Sequence, residues 1–153
     1  MSADDFSIRP AAQGDLPALL SLYRHLHAND PEIPADVAAG RFAEITARPG
    51  MTVLIGVSGE TLTSSVTLAV IPNLTRGGAP YALIENVVTH AEYRQRGHAR
   101  ALIRHAFASA WEEGCYKVML LTGSKDPATL KFYEGCGFTQ DKTGFQVRRP
   151  PGI

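Results

Sequence analysis

The six residues Arg94-Gln95-Arg96-Gly97-His98-Ala99 have the composition of an anion-binding turn. Gly97 lets the backbone come close to a ligand, the small Ala99 keeps a first helical turn uncrowded, and free amides at a helix start can converge on phosphate oxygens. Arg94 and Arg96 add positive charge beside those amides. A glycine-containing turn from strand to helix also serves as a plain connector, so the loop taken alone leaves both readings open. Glu85 is the second candidate. A carboxylate within the otherwise apolar run 81–90 needs a reason, either an ion pair to a neighbouring strand or a role in chemistry.

Other chemistries fit less well. The chain has no G-x-x-x-x-G-K-[ST], and Gly97 lacks the neighbouring glycines of a dinucleotide fingerprint. His25 and His27, with Asp30 nearby, make a poor metal clamp, because two positions apart on a helix the side chains point roughly 200° apart. No Ser-His-Asp, paired-thiol or zinc pattern competes.

The elements that must position these residues follow from periodicity. Residues 81–90 are rich in Ile, Val and Thr and apolar on both faces, which suits an interior strand. Ala99, Leu102, Ile103, Ala106, Phe107 and Ala110 form one helical stripe, with Arg100, Arg104, His105 and Ser109 elsewhere. Gly114 ends that helix, and residues 116–122 predict another buried strand, completing a βαβ unit. Ahead of it, residues 6–11 predict a short edge strand before Pro10. Asp15 and Pro17 open a helix running toward His27, which Pro31 and Pro34 break, and a second helix covers 35–47. Residues 51–57 and 62–71 predict a hairpin around Ser58-Gly59-Glu60, followed by a Gly-rich loop over 73–80. Asp126-Pro127 reads as an N-cap with proline at the first helical position, opening a short helix that stops at Gly135 or Gly137. Residues 138–147 are expected to close the sheet, and 148–152 have tail composition.

Composition narrows the class. The 153 residues, 44% of them hydrophobic, match one domain able to bury a core without metal or disulfide support. Lys+Arg and Asp+Glu are both 15, so no global basic surface points to nucleic acid or an anionic membrane. Cys115 and Cys136 are too few for a disulfide framework and read as buried thiols. The acidic amino terminus lacks an apolar signal core, and no run approaches the ~18 apolar residues of a membrane span, so a cytoplasmic protein is expected.

Arg94-x-x-Gly97-x-Ala99, following Val87-Val88-Thr89 and Tyr93, resembles the acetyl-coenzyme A pyrophosphate loop of the GNAT superfamily of N-acetyltransferases. Phe132-Tyr133-Glu134-Gly135-Cys136-Gly137-Phe138 resembles the FYxxxGF ending of that family's last helix, and IRPAAQGDLPALLSLY is similar to its opening strand and helix. The resemblance covers nearly the whole chain in the expected order. It implies one α/β (α+β) domain over 1–153, with a mixed, mostly antiparallel twisted sheet, helices on both faces, and a central strand pair that splays near Thr89. The co-substrate it implies is acetyl-CoA, without a metal. Its pyrophosphate would lie on Arg94, Gln95, Arg96, Gly97, His98 and Ala99. Its pantetheine would pair like an added strand with backbone near Val87 and Val88. Asp126 and Phe132 are the remaining cofactor positions. Asparagine is common in the family where Asp126 stands, and a carboxylate cannot supply the amide's N–H donors, so helix capping alone would explain Asp126. Ser64-Ser65 stands where family members often carry glycine, and Thr129 where alanine is usual.

Tyr133 occupies the family position whose hydroxyl faces the thioester sulfur, which implies a general acid. Glu85 would accept a proton from an amine directly or through water, hold the ammonium group, or make only an ion pair. The implied reaction is direct attack of a small-molecule primary amine in a ternary complex. GCYKVMLL and KFYEGCGF are similar to the corresponding stretch of glucosamine-6-phosphate N-acetyltransferases, which makes an amino sugar phosphate the first candidate acceptor. A protein or peptide N-acetyltransferase and a non-catalytic acyl-CoA-binding module stay open, as does a homodimer.

Overall fold

Two long apolar runs fold back on each other at Gly59, whose φ of +61° suits the tight turn between them. They are β2 (Met51–Ser58) and β3 (Thr61–Ile71), antiparallel and buried through most of their length. In this computed structural model, which describes residues 5–152, the chain divides into two units, Met1–Leu120 and Leu121–Ile153.

The first unit holds a five-stranded sheet in the order β1-β2-β3-β4-β5, where β1 is Phe6–Pro10, β4 is Tyr81–Thr89 and β5 is Val118–Met119. The first three pairings are antiparallel and the last is parallel. Pro10 sits on the edge strand, where its missing N–H does not interrupt an interior ladder. Helices α1 (Leu16–Tyr23) and α2 (Ala35–Ala47) bring Leu19 and Phe42 against Val53 and Ile55. Residues of the other parity, Leu54, Val66, Leu68, Ala82 and Ile84, are buried as well. They meet α3 (His98–Glu112), which packs on β2, β3 and β4 with Leu102, Ile103, Ala106 and Ala110 fully buried. Gly56 is needed where β2 passes Phe6 and Ser64: a Cβ there would lie 2.4 Å from Ser64 Oγ.

The second unit holds α4 (Pro127–Cys136), capped at both ends. Asp126 Oδ1 accepts from the Ala128 amide at 2.9 Å, and Pro127 occupies the first turn. At the other end, Gly137 at φ +118° lets its amide reach the Glu134 carbonyl while the Phe138 amide reaches that of Tyr133.

Three expectations need correction. The helix from Asp15 ends at Tyr23, short of His27, because the bonds tighten to the i−3 pattern at Arg24, His25 and Leu26. The strand over 116–122 is reduced to Val118–Met119, since its partner β4 bends at a bulge soon after Leu83. No strand forms over 138–147: Phe145 and Val147 are 92% and 95% exposed, and Gln140-Asp141-Lys142 and Gly144 leave too few apolar positions to bury a strand face.

Candidate active site

β4 is where the first unit's candidate residues gather. Thr67 pairs with Glu85 and Ser65 with Val88, so Asn86 and Val87 of β4 lie opposite the single residue Val66 of β3. The extra residue makes a bulge, with Asn86 in the left-handed region at φ +53°. Simple alternation puts Glu85 with Leu83 and Val87, and Asn86 on the opposite face. The bulge shifts the parity after Glu85, so Val88, opposite Ser65, takes the place expected of Val87, and Asn86 joins Glu85.

Leu83, Glu85 and Asn86 form one wall of a cavity of about 870 Å³. Its floor is aliphatic, from Leu16, Leu19 and Leu20 of α1, Ile45 of α2 and Met51 and Val53 of β2. Its lining carries charge of both signs, with Arg24 and Arg41 alongside Asp30 and Glu32. Arg24 Nη1 donates to the Asp30 carbonyl at 3.0 Å, and Arg41 Nη1 pairs with Glu44 at 2.9 Å. Tyr23 lies between floor and strand wall. Burial pushes its hydroxyl pKa up, against the lowering effect of hydrogen bonds to Thr67 and Ser65. The sequence marked Tyr23 only as part of the opening helix and did not single out Arg24, Arg41 or Asn86 as lining residues. The bulge brings in Asn86, Arg24 follows the last turn of α1, and Arg41 comes from α2.

Beyond Leu83, β4 continues to Thr89 with no strand of the described residues beside it on the β5 side, because the β4–β5 register ends at Leu83↔Met119. That edge, including Val87 and Val88, can accept an extended ligand by backbone hydrogen bonds.

The loop that follows has the geometry of an anion cradle. Left-handed residues Gln95 (φ +63°) and Gly97 (φ +83°) bracket Arg96, a pattern that turns consecutive amides to one side. Ala101 is the first residue to bond back into α3, to the Gly97 carbonyl at 3.0 Å, so the amides of His98, Ala99 and Arg100 are helix-start donors. A Cβ on Gly97 would meet nothing within 4 Å, so the space beside the glycine is open.

The side chains around this loop divide their tasks. Arg94 is spent on backbone, with Nε donating to the Thr89 carbonyl at 3.3 Å and Nη2 to that of His25 at 3.4 Å. Arg96 lies over the Tyr93 ring at 4.9 Å. His98 turns inward, stacked on Phe6 with its Nδ1 2.8 Å from Thr63 Oγ1, so it offers a ligand its amide and not its ring. Burial, then the charge of Arg96, lowers the pKa of His98.

In the second unit, Asp126 is engaged as the cap of α4, and Tyr133 meets Phe132 and Phe138 edge-on. Burial, then Cys136, raises the pKa of the half-buried Tyr133. Cys115 and Cys136 are both buried, and burial raises the pKa of Cys115. Among the described residues there is no group of three or more His, Cys, Asp or Glu able to hold a metal ion, and no helix long and apolar enough to cross a membrane.

Comparison with known proteins agrees with this geometry. The model of the Acetyltransferase (GNAT) family matches residues 17–138. A glucosamine 6-phosphate N-acetyltransferase of Trypanosoma brucei brucei is 32% identical over 136 residues, covering 88% of this chain and 89% of the relative. The solved structure of a candidate acetyltransferase from Agrobacterium tumefaciens str. C58 is 50% identical with a TM-score of 0.90, covering 94% of this chain and 99% of that one. An aminoglycoside N-acetyltransferase in complex with CoA shares the fold at a TM-score of 0.79 and 18% identity, covering 94% of each chain. With a mixed five-stranded sheet, an open β4 edge and a matching family model over most of its length, the chain belongs to the GNAT family of acetyltransferases.

Proposed function

We propose that the protein is an acetyl-CoA-dependent N-acetyltransferase acting on a primary amine of a small molecule, as one domain over residues 1–153. The family match, which runs from 17 to 138, supports the single domain. The observation that carries the reading is the sequence of features along β4: the cavity wall with Glu85 and Asn86, the open edge at Val87 and Val88, and the cradle ending in Gly97.

When bound, acetyl-CoA supplies a thioester whose carbonyl a neutral amine attacks, giving an amide and a thiol. The amides of Gly97, His98 and Ala99, with Gln95 and Arg96, bind the pyrophosphate, and Arg94 holds the loop in shape. The backbone of Val87 and Val88 aligns the pantetheine. Phe132 and Asp126 are further contacts by family pattern, although the cap on α4 already accounts for Asp126. Deprotonating an amine of pKa ~10.4 at pH 7 costs roughly 4–5 kcal/mol. Glu85 takes the proton that the nitrogen gives up as it attacks the carbonyl, directly or through water, or anchors the ammonium group. Tyr133 returns a proton to the leaving thiolate, a role supported by the FYxxxGF pattern.

The first candidate acceptor is an amino sugar phosphate, in line with the name of the trypanosome relative and with cationic Arg24 and Arg41 lining the cavity. A thiol-release assay over glucosamine 6-phosphate, glucosamine, simple alkylamines and lysine peptides tests it. Glucosamine 6-phosphate should exceed glucosamine by roughly 10-fold or more in kcat/KM, the worth of one charge-assisted hydrogen bond. Equal rates would remove the phosphate from the reading, and no turnover of any amine by protein that binds CoA would leave a binding module. Gly97→Glu, which fills the open space before α3, should abolish CoA binding in calorimetry. Unchanged affinity in the folded variant would remove the loop from the site.

A further inference from the structure

We propose that His25 is a positioning residue for the 94–97 loop, and that its neutral imidazole, paired with His90, makes the loop's hold on a phosphate-bearing ligand depend on pH. The proposal rests on the reading that this loop binds acetyl-CoA.

His25 lies just past α1, yet it is bonded to the segment that feeds the loop. Its Nδ1 accepts from the Ala91 amide at 3.2 Å, and its carbonyl accepts from Arg94 Nη2 at 3.4 Å. Its ring sits 4.1 Å from that of His90, whose Nδ1 accepts from the Glu92 amide at 3.1 Å. His90 meets Tyr93 edge-on at 5.6 Å, and Tyr93 carries Arg96 on its face. One connected set of groups thus runs from the end of α1 to both arginines of the loop.

Both Nδ1 atoms are acceptors of backbone N–H, so each ring must be unprotonated there. An imidazolium has no acceptor nitrogen. Protonating His25 would lose the Ala91 bond and set a cation beside His90 and the Arg94 guanidinium, with Glu92 as the opposing charge. Burial, then His90 and Arg94, lowers the pKa of His25 from its ordinary 6.5, against Glu92. The neighbouring Arg24 is directed to the Asp30 carbonyl. The sign follows: the folded pKa is depressed, so the latch is intact above the ordinary histidine value and is lost as pH falls through the lowered one. At neutral pH the loop is held, and below the lowered value the Ala91 bond to His25 is lost.

CoA binding by calorimetry at pH 7.5 and 5.5 tests this with wild type, His25→Asn and His25→Ala. Asparagine keeps an acceptor near the place of Nδ1 but cannot be protonated there. At pH 7.5, His25→Asn should bind within about 2-fold of wild type and His25→Ala roughly 5- to 10-fold more weakly, the worth of one hydrogen bond. On acidification, wild type should lose several-fold more affinity than His25→Asn. The phosphomonoester of CoA, with a second pKa of ~6, titrates equally for all variants and drops out of the comparison. Parallel losses in wild type and His25→Asn, or undiminished binding by His25→Ala, would overturn the proposal. If Gly97→Glu binds CoA as wild type does, the loop reading has failed instead, and the ligand part of the proposal with it. A readout without ligand separates the two: the Ala91 amide resonance should titrate in wild type and stay flat in His25→Asn, and a flat wild-type profile would sink the latch itself.

Discussion

At the scale of the residue, the two proposed proton carriers differ in how the chain prepares them. Tyr133 is half-buried, and that burial raises its pKa above the ordinary tyrosine value of 10, so it keeps its proton throughout the neutral range. A group held protonated can donate, and it cannot set the basic limb of activity below about pH 10. Tyr133→Phe removes only the hydroxyl, and kcat should fall by roughly 10²–10⁴ with CoA affinity unchanged. Wild-type kcat with a true acceptor, chemistry being rate-limiting, would reject the acid role. Glu85→Gln separates two roles. A base predicts a fall in kcat, whereas an ammonium anchor predicts a rise in KM with kcat nearly constant. His98 teaches the opposite lesson. It stands in the motif among the pyrophosphate residues, yet its ring is stacked on Phe6 and bonded to Thr63, which leaves its backbone amide as the group it can offer a ligand.

At the scale of the element, what was legible in the sequence was whatever depends on local period. The helix over 35–47 and the hairpin strands fall where apolar spacing puts them, and the cap residues Asp126 and Gly137 bound α4. The bulge in β4 was not legible, because counting alternate residues assumes a uniform pleat and Asn86 breaks it with one left-handed residue. The strand expected over 138–147 failed for a related reason: β propensity is realised only against a neighbour, and one chain segment does not reveal whether a neighbour exists. The connection from β1 to α1 offers a test of sign. Arg9 holds the Asp15 carboxylate at 2.7 Å, Ala12 donates its amide to it, and these bonds lower the Asp15 pKa below 3.8. That contribution is present above the ordinary carboxylate pKa and disappears as pH falls through the depressed one. Asp15→Asn should therefore cost about 1 kcal/mol at pH 7, and its denaturation curve should converge on that of wild type toward pH 2. For Asp126, Ser should preserve stability and Ala lose about 1 kcal/mol, both with unchanged CoA affinity if the residue is a cap alone. A selective loss of affinity in either variant would restore it as a cofactor contact.

At the scale of the whole molecule, equal numbers of cationic and anionic residues leave the functional surface to local arrangements. The cradle, the bulge and the cavity all lie in the first unit. The second unit ends differently. After α4 its residues 139–152 are exposed and form no helix or strand, and they carry Lys142, Arg148 and Arg149. A protease needs about this: an accessible backbone that can be drawn out without breaking a ladder. Brief treatment of the native protein with trypsin should cut first after Lys142 and Arg148, the Arg149–Pro150 bond being resistant, while Arg41 of α2 and Arg100 and Arg104 of α3 resist, and mass spectrometry of the first fragments would show it. The carboxy-terminal stretch is then the natural attachment point for a tag or tether, since a graft there disturbs no hydrogen-bonded element.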